Sequence, residues 1–264
     1  LAMIFQKPST RTRVSFEVAI GRLGGTPIAL SDVEIGLGRR ESVADVGRVL
    51  ARYTSGIVAR LFNHRDLLDL AAAADKPVVN ALTDRSHPCQ VLADLMTVQE
   101  ALGGLEGRRL AFVGDGNNVA SSLIEAAALL QLSLIVVTPP RHFPPPEVLD
   151  RARHLAAGKG FDVKVTSDLS ALEGVDAVYT DVWTSMGQEA ETETRRREFA
   201  EYQVDEALMA LAPNAIFMHC LPAHRGEEVT AGVIDGPRSV VFDQAENRLY
   251  VQMALLASIL GTAP

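Results

Sequence analysis

Near the start of the chain, Ser9-Thr10-Arg11-Thr12-Arg13 packs three hydroxyls and two guanidinium groups into five residues. They follow an expected strand ending at Phe5 and open an expected helix whose apolar face is read as Val14, Val18 and Leu23. A helix N-terminus presents free N–H groups and the positive end of the helix dipole, and hydroxyls and guanidinium add directed donors, so a phosphate would fit there. The plainer reading is that Ser9 is only an N-cap and Arg13 only the i,i+4 partner of Glu17. The density of donors in an acidic chain favours the anion.

Two histidine tetrapeptides, His87-Pro88-Cys89-Gln90 and His219-Cys220-Leu221-Pro222, each sit just after an expected strand. That is the carboxyl edge where open α/β sheets bind ligands. A histidine there can polarise a carbonyl, Gln90 can pair with an amide through donor and acceptor, and Pro222 restricts Leu221 to extended geometry. Taken singly, either is equally a loop histidine with ordinary partners. His87, Cys89, His219, Cys220 and His224 could together hold zinc, but no pair has the C-x₂-C or H-x₃-H spacing. A Cys–His nucleophilic pair is a further alternative.

Two more loops leave strand ends. Gly114-Asp115-Gly116-Asn117-Asn118 invites a dinucleotide reading, but Val119 replaces the third glycine and the next strand ends Val136-Val137-Thr138 with no acid for a ribose hydroxyl. An asparagine at this turn could instead hydrogen-bond an amino-acid head group, or Asn117 could simply cap the helix. Asp181-Val182-Trp183-Thr184-Ser185-Met186-Gly187 offers a carboxylate, a hydroxyl and the single tryptophan. It suits a loop closing over a small cationic ligand, with a surface loop and a packed Trp183 as the alternative. Arg60 and Arg248, judged alone, read as surface salt-bridge residues.

These residues need a scaffold, and 264 residues suffice for one large domain or two ordinary ones. Apolar residues at 47% and charged residues at 22% exclude a disordered chain. A net charge of −8 argues against general affinity for nucleic acid or anionic membrane, so an anion site must be local. No segment reads as a membrane span or signal peptide, and two cysteines cannot make a disulfide framework. A cytoplasmic enzyme is therefore expected. The chain opens directly in a strand, without methionine, which suggests an upstream segment.

Apolar β-rich runs alternate with helix-period segments, predicting strands at 2–5, 27–30, 56–60, 77–80, 109–113, 133–137, 162–165, 177–180, 215–218 and 240–242. Ten strands are many for one open sheet of this length. The helix 91–102 ends at Gly103-Gly104, a C-cap signal that places a domain boundary near Gly104. The expected fold is α/β: two doubly wound parallel-sheet domains, 1–104 and 105–243, with the active site in the cleft between them. An apolar-faced helix at 244–260 is expected to carry the tail, 244–264, back onto the first. The proline-rich stretch 139–146 reads as a connector and the charged run 189–201 as a solvated helix.

Together the motifs resemble the aspartate/ornithine carbamoyltransferase family. Phe5-Gln6-Lys7-Pro8-Ser9-Thr10-Arg11-Thr12 is similar to its carbamoyl-phosphate signature and His87-Pro88-Cys89-Gln90 to its second phosphate-side motif. Asp181 with Ser185-Met186-Gly187, and His219-Cys220-Leu221-Pro222, resemble the ornithine branch. The resemblance implies transfer of a carbamoyl group from carbamoyl phosphate to the δ-amine of ornithine, giving citrulline and phosphate in arginine metabolism. No metal or organic cofactor is implied.

It further implies that Ser9, Thr10, Arg11, Thr12 and Arg60 hold the phosphate. Arg60, Thr12 and His87 would polarise the carbonyl, and Gln90 and the Leu221 carbonyl would receive the carbamoyl amide. Asn118, Asp181, Ser185 and Met186 would bind the ornithine head group, with Cys220 and Asp181 near its δ-amine and Arg248 near the reacting centre. Family members are trimers with sites at subunit interfaces, and usually carry a helical segment before the strand that here starts at Leu1. Gly36 aligns where many relatives place a glutamine that reaches the neighbouring site, a contact that Arg39 or Arg40 would then supply. The rivals are the same transfer to putrescine, acetylornithine or aspartate, a zinc-dependent hydrolase, and a non-catalytic amino-acid or phosphate-binding module.

Overall fold

A computed structural model describes residues 1–158, 160, 162–184 and 191–261. The chain divides into two compact units, 1–93 with 246–264, and 94–245.

In the first unit four short strands, β1 (Ala2–Phe5), β2 (Ile28–Ser31), β3 (Ile57–Arg60) and β4 (Val78–Leu82), form a wholly parallel sheet in the order β2-β1-β3-β4. Alternate residues of a strand face opposite sides of its sheet, so β1 feeds two cores. Ala2 and Ile4 pack with Val46 of α3 (Val43–Tyr53) and Leu67 and Leu70 of α4 (His64–Ala73). Met3 and Phe5 pack with Phe16, Ala19 and Ile20 of α1 (Thr10–Arg22) and Leu256 of the last helix.

The second unit carries β5 (Arg109–Val113), β6 (Ser133–Val137), β7 (Val163–Thr166), β8 (Ala177–Thr180) and β9 (Ile216–His219), also all parallel, in the order β7-β6-β5-β8-β9. One face, with Ala111, Val113, Ile135, Val137, Val178 and Phe217, is covered by Trp183, Phe199, Tyr202, Leu208 and Met209. Helices α6 (Asn118–Leu130) and α7 (Pro146–Ala156) follow β5 and β6.

The doubly wound parallel architecture is as expected, and three elements depart from the sequence reading. Segment 240–242 is not a tenth strand: Ser239 makes only an isolated bridge to Phe217, and a helix runs from Val241 to Leu260. A β-branched apolar run there reads as strand locally, yet it caps a long helix. The buried face of α1 is Thr12, Phe16, Ala19 and Ile20, whereas Val14, Val18 and Leu23 are exposed. Both stripes have helical spacing, and the sheet buries the larger Phe16. The charged run is not wholly solvated, because Arg195 and Phe199 of its helix (Thr192–Phe199) are buried. The compact units divide within the helix Pro88–Leu102, between Ala93 and Asp94, and again within Val241–Leu260.

Two glycines are required by the turns around the strand ends. Gly36 adopts φ +60°, and a Cβ there would meet the Arg40 Cβ at 2.8 Å. Gly116 lies against the 142–144 backbone, where a Cβ would come within 2.4 Å of the Pro144 nitrogen.

The reassigned face of α1 has a measurable consequence. Phe16→Ala should destabilise the fold by about 3–5 kcal/mol, and Val14→Ala by no more than about 0.5 kcal/mol. Urea unfolding of the two variants beside the parent protein measures the difference, and equal losses would return Val14 to the core.

Candidate active site

In an open parallel sheet, ligands bind beyond the carboxyl ends of the strands where the strand order reverses. In the first unit that point lies between β1 and β3, whose last residues, Phe5 and Arg60, are register partners. The chain leaving β1 enters α1 at Ser9. The first intrahelical bond joins Arg13 N–H to Ser9 O at 3.0 Å, so the N–H groups of Thr10, Arg11 and Thr12 have no acceptor within the helix. The Ser9 side chain makes no capping bond and the first turn contains no acid, which leaves the positive helix end uncompensated by its own sequence. Arg11 is exposed there, while Arg13 pairs with Glu17 at 2.8 Å, the ordinary surface role.

Thr12 is buried, and its hydroxyl accepts from Arg248 Nη2 at 3.0 Å, which leaves the hydroxyl proton to donate elsewhere. Arg248 Nη1 donates to Gln90 Oε1 at 2.5 Å. Arg248 is only 3% exposed, so the surface reading of this arginine is overturned. An amide oxygen has two lone pairs, so the Gln90 oxygen can accept a second N–H while holding Arg248. His87 follows β4 and begins helix α5 (Pro88–Leu102), its carbonyl accepting from Gln90 N–H at 3.0 Å, with Pro88 at the first helical position where its missing N–H costs nothing. Burial first, then the positive charges of Arg248 and Arg60, hold the His87 pKa well below 6.5. The ring is thus neutral at neutral pH, a hydrogen-bond donor without added charge. Cys89 is buried, its thiol donates to Asn80 O at 3.3 Å, and burial pushes its pKa up to about 11. It is an inert packing residue, not a nucleophile or metal ligand.

In the second unit the strand order reverses between β5 and β8, whose Val113 and Thr180 are register partners; Thr180 in turn pairs with His219 of β9. These registers set the following residues, Gly114, Asp181 and Cys220, side by side. Asn117 caps α6 through Oδ1, accepting from Val119 N–H at 2.9 Å and Ala120 N–H at 3.1 Å, while its Nδ2 donates to Asp181 Oδ2 at 2.8 Å. The Cys220 thiol donates to Asp181 Oδ1 at 2.9 Å. A buried carboxylate with donors already oriented on both oxygens suits a ligand ammonium group.

Behind it lies a pair that the sequence reading missed. Arg195 Nη1 bonds Asp115 Oδ2 at 3.0 Å and the Trp183 carbonyl at 2.9 Å. Burial raises the Asp115 pKa, against the pull of Arg195 and His142. Trp183 stacks on Phe199 at 5.9 Å between ring centroids, so it packs within its own unit. No local signal joins residues 115 and 195; only the GDGNN turn hinted that Asp115 had a role. Ser185 and Met186, expected on the ornithine side, lie outside the described residues, as does Gly187. Asn118 opens α6 beside Asn117.

Of the proposed zinc set, His219 and Cys220 group with Asp181. His219 Nδ1 accepts from Leu221 N–H at 2.8 Å and Nε2 meets Glu228 Oε1 at 3.1 Å, so both ring nitrogens are engaged. His224 groups with Glu227 and Glu228, but Glu227 pairs with Arg196 at 2.5 Å. In both sets a candidate ligand already has a protein partner. No helix of the described residues is long and apolar enough to cross a membrane.

Residues 1–100 match the family pattern described as the aspartate/ornithine carbamoyltransferase carbamoyl-P binding domain, and residues 106–259 match its Asp/Orn binding domain. The chain belongs to the aspartate/ornithine carbamoyltransferase family. An ornithine carbamoyltransferase of Acidothermus cellulolyticus is 55% identical over 265 residues, which cover 100% of this chain and 85% of that protein. A Pyrococcus furiosus relative named "Ornithine carbamoyltransferase, anabolic" is 52% identical, across 99% of this chain and 84% of that protein. The solved ornithine carbamoyltransferase structure from Pyrococcus furiosus superposes with a TM-score of 0.95 at 51% identity, covering 100% of this chain and 85% of that one. Thr12, Arg60, His87 and Gln90 fall in the first matched segment and the Asp181 group in the second, which also contains Arg248.

The neutral state of His87 makes stability depend on pH with a definite sign. Its folded pKa is lowered, so below pH 6.5 the unfolded chain takes up a proton that the folded chain refuses, and stability falls as pH drops. Replacing His87 by Gln should make this fall shallower by up to about 1.4 kcal/mol per pH unit, measured by urea unfolding from pH 7 to about pH 5. Identical slopes would place the charge elsewhere.

Proposed function

We infer that this carbamoyltransferase family member moves the carbamoyl group of carbamoyl phosphate to the δ-amine of L-ornithine, giving citrulline and phosphate. The observation that carries the donor side is the acid-free start of α1 backed by Arg248, which is hydrogen-bonded to both Thr12 and Gln90. In this reading Ser9, Thr10, Arg11, Thr12 and Arg60 hold the phosphate. Thr12, Arg60 and neutral His87 hydrogen-bond the carbonyl oxygen, with Arg248 beside the reacting carbon. Gln90 and the Leu221 carbonyl receive the carbamoyl N–H groups. Asn118, Asp181, Ser185, Met186 and Cys220 take the amino acid, Asp181 and Cys220 nearest its δ-amine.

The chemistry needs no nucleophile from the protein. The neutral amine adds to the carbonyl carbon and negative charge collects on the carbonyl oxygen. The carbonyl then re-forms as the C–O bond to phosphate breaks, phosphate leaving with the bonding pair and taking up the proton that the amine nitrogen gives up. Oriented donors and fixed positive charge around the oxygen stabilise the charge that develops, and binding both substrates converts a bimolecular step into an oriented one. A neutral histidine helps because it donates without competing with the two guanidinium groups for the phosphate.

The acceptor follows from Asp181. An aspartate enzyme needs cations for a second carboxylate, whereas here a carboxylate and a thiol occupy that position. The relative named anabolic supports flux toward citrulline. A cytoplasmic homotrimer completes the reading, with the exposed Val14, Val18 and Leu23 of α1 and exposed Val33 offering apolar surface for a second copy of the chain.

Citrulline formation with ornithine, putrescine, acetylornithine and aspartate, each with carbamoyl phosphate, tests the assignment; ornithine should exceed the others in kcat/KM by about a hundredfold or more. A preference for another amine would overturn it. Arg11→Ala should lower kcat/KM for carbamoyl phosphate by at least about tenfold through loss of a charge-assisted phosphate contact. Unchanged kinetics would move the phosphate away from α1.

A further inference from the structure

We propose that Glu228 and His219 are positioning residues for the Cys220-Leu221 turn, with Glu228 fixing the His219 tautomer that holds Leu221 in a left-handed backbone conformation. The proposal rests on the functional reading above, in which Cys220 and the Leu221 carbonyl face the substrates.

Leu221 does not take the extended geometry expected before Pro222: its φ is +55°, a region that a residue with a Cβ enters only at a cost. Such a residue persists where its surroundings over-determine it. Its N–H donates to His219 Nδ1 at 2.8 Å, which requires Nδ1 to be the unprotonated nitrogen. The ring proton must then sit on Nε2, and Nε2 faces Glu228 Oε1 at 3.1 Å. Glu228 and His219 are both essentially without exposure, so an unmatched tautomer would leave buried groups unpaired. The same Glu228 oxygen accepts from His224 N–H at 2.5 Å, which closes the loop that follows Pro222.

The backbone of His219 is clamped as well. Its N–H donates to Gln244 Oε1 at 2.9 Å, and Gln244 Nε2 donates to Asp94 Oδ1 at 2.6 Å, with Gln244 and Asp94 both buried. Ring and backbone of one histidine are therefore each fixed by a buried partner. The residue immediately after it, Cys220, is the one whose thiol meets Asp181. Neither Glu228 nor Gln244 need touch substrate to act. They set the direction of the Leu221 carbonyl and the Cys220 thiol.

Two variants and one spectrum test this. Glu228→Gln keeps an acceptor oxygen for Nε2–H, whereas Glu228→Leu removes it. We expect Glu228→Leu to lose about tenfold to a hundredfold in kcat while its affinity for inorganic phosphate, measured by titration calorimetry, changes by less than about twofold. Glu228→Gln should stay within about threefold of the parent in kcat. Nitrogen-15 spectra of the histidines in the parent protein and in Glu228→Gln should show His219 as the Nε2–H tautomer. An Nδ1–H tautomer overturns the proposal whether or not Glu228→Leu folds. So does a Glu228→Leu variant with parental kcat, a Glu228→Gln variant as poor as Glu228→Leu, or parallel loss of kcat and phosphate affinity. Absence of citrulline from the parent protein would defeat the functional reading instead, and the tautomer would still report on the geometry.

Discussion

Parallel register is the constraint on which the chemistry depends. Parallel strands deliver all their carboxyl ends to one edge of a sheet, and hydrogen-bond register decides which end residues become neighbours. Phe5 pairs with Arg60 in one sheet, and Val113, Thr180 and His219 line up across the other. The residues that follow these partners are the ones with chemistry to offer. No helix packing could bring Asn117, Asp181 and Cys220 together so directly from separate parts of the chain. A slip of one residue in β8 would turn Asp181 to the opposite face.

On that edge the two units use different electrostatics. The first gathers guanidinium groups and a helix N-terminus around His87, which burial and then the same positive field keep uncharged. The second gathers carboxylates, each with donors already in place: Asp181 has Asn117 and Cys220, Asp115 has Arg195, and Glu228 has His219. Guanidinium groups at a helix N-terminus suit an anion and carboxylates with oriented donors suit an ammonium group, so the two units carry opposite fields. Preorganisation is common to both: buried Arg248 holds Thr12 and Gln90, and buried Asp181 holds Asn117 and Cys220.

Much of this was legible in the sequence, and the misses have physical causes. Alternation of apolar strands with amphipathic helices is a local signal, so the two-sheet architecture and the strand-end motifs could be read directly. The face of α1 could not, since Val14 with Val18 and Phe16 with Ile20 both satisfy helical spacing; only the sheet beneath chooses. Val240-Val241-Phe242 has strand composition but helical hydrogen bonds, a case where tertiary context overrides propensity. Arg195 looked like one charge among many because its partner, Asp115, is distant in sequence. Arg248 was underrated for the same reason: Thr12 and Gln90 convert a surface residue type into a buried one.

The bond between Arg248 and Thr12 spans 236 positions of sequence. The helix that carries Arg248 also supplies Leu256 to the core around Met3, Phe5 and Phe16. During synthesis the strands and first helix emerge from the ribosome well before that helix exists. The part of that core which α1 does not cover must therefore wait exposed, a hazard for self-association that a vectorially growing chain meets at every round of translation. Arg248 and the closing of that apolar face arrive together, so a polypeptide stalled short of its last helix lacks the partner of Thr12 and Gln90 and is sticky as well.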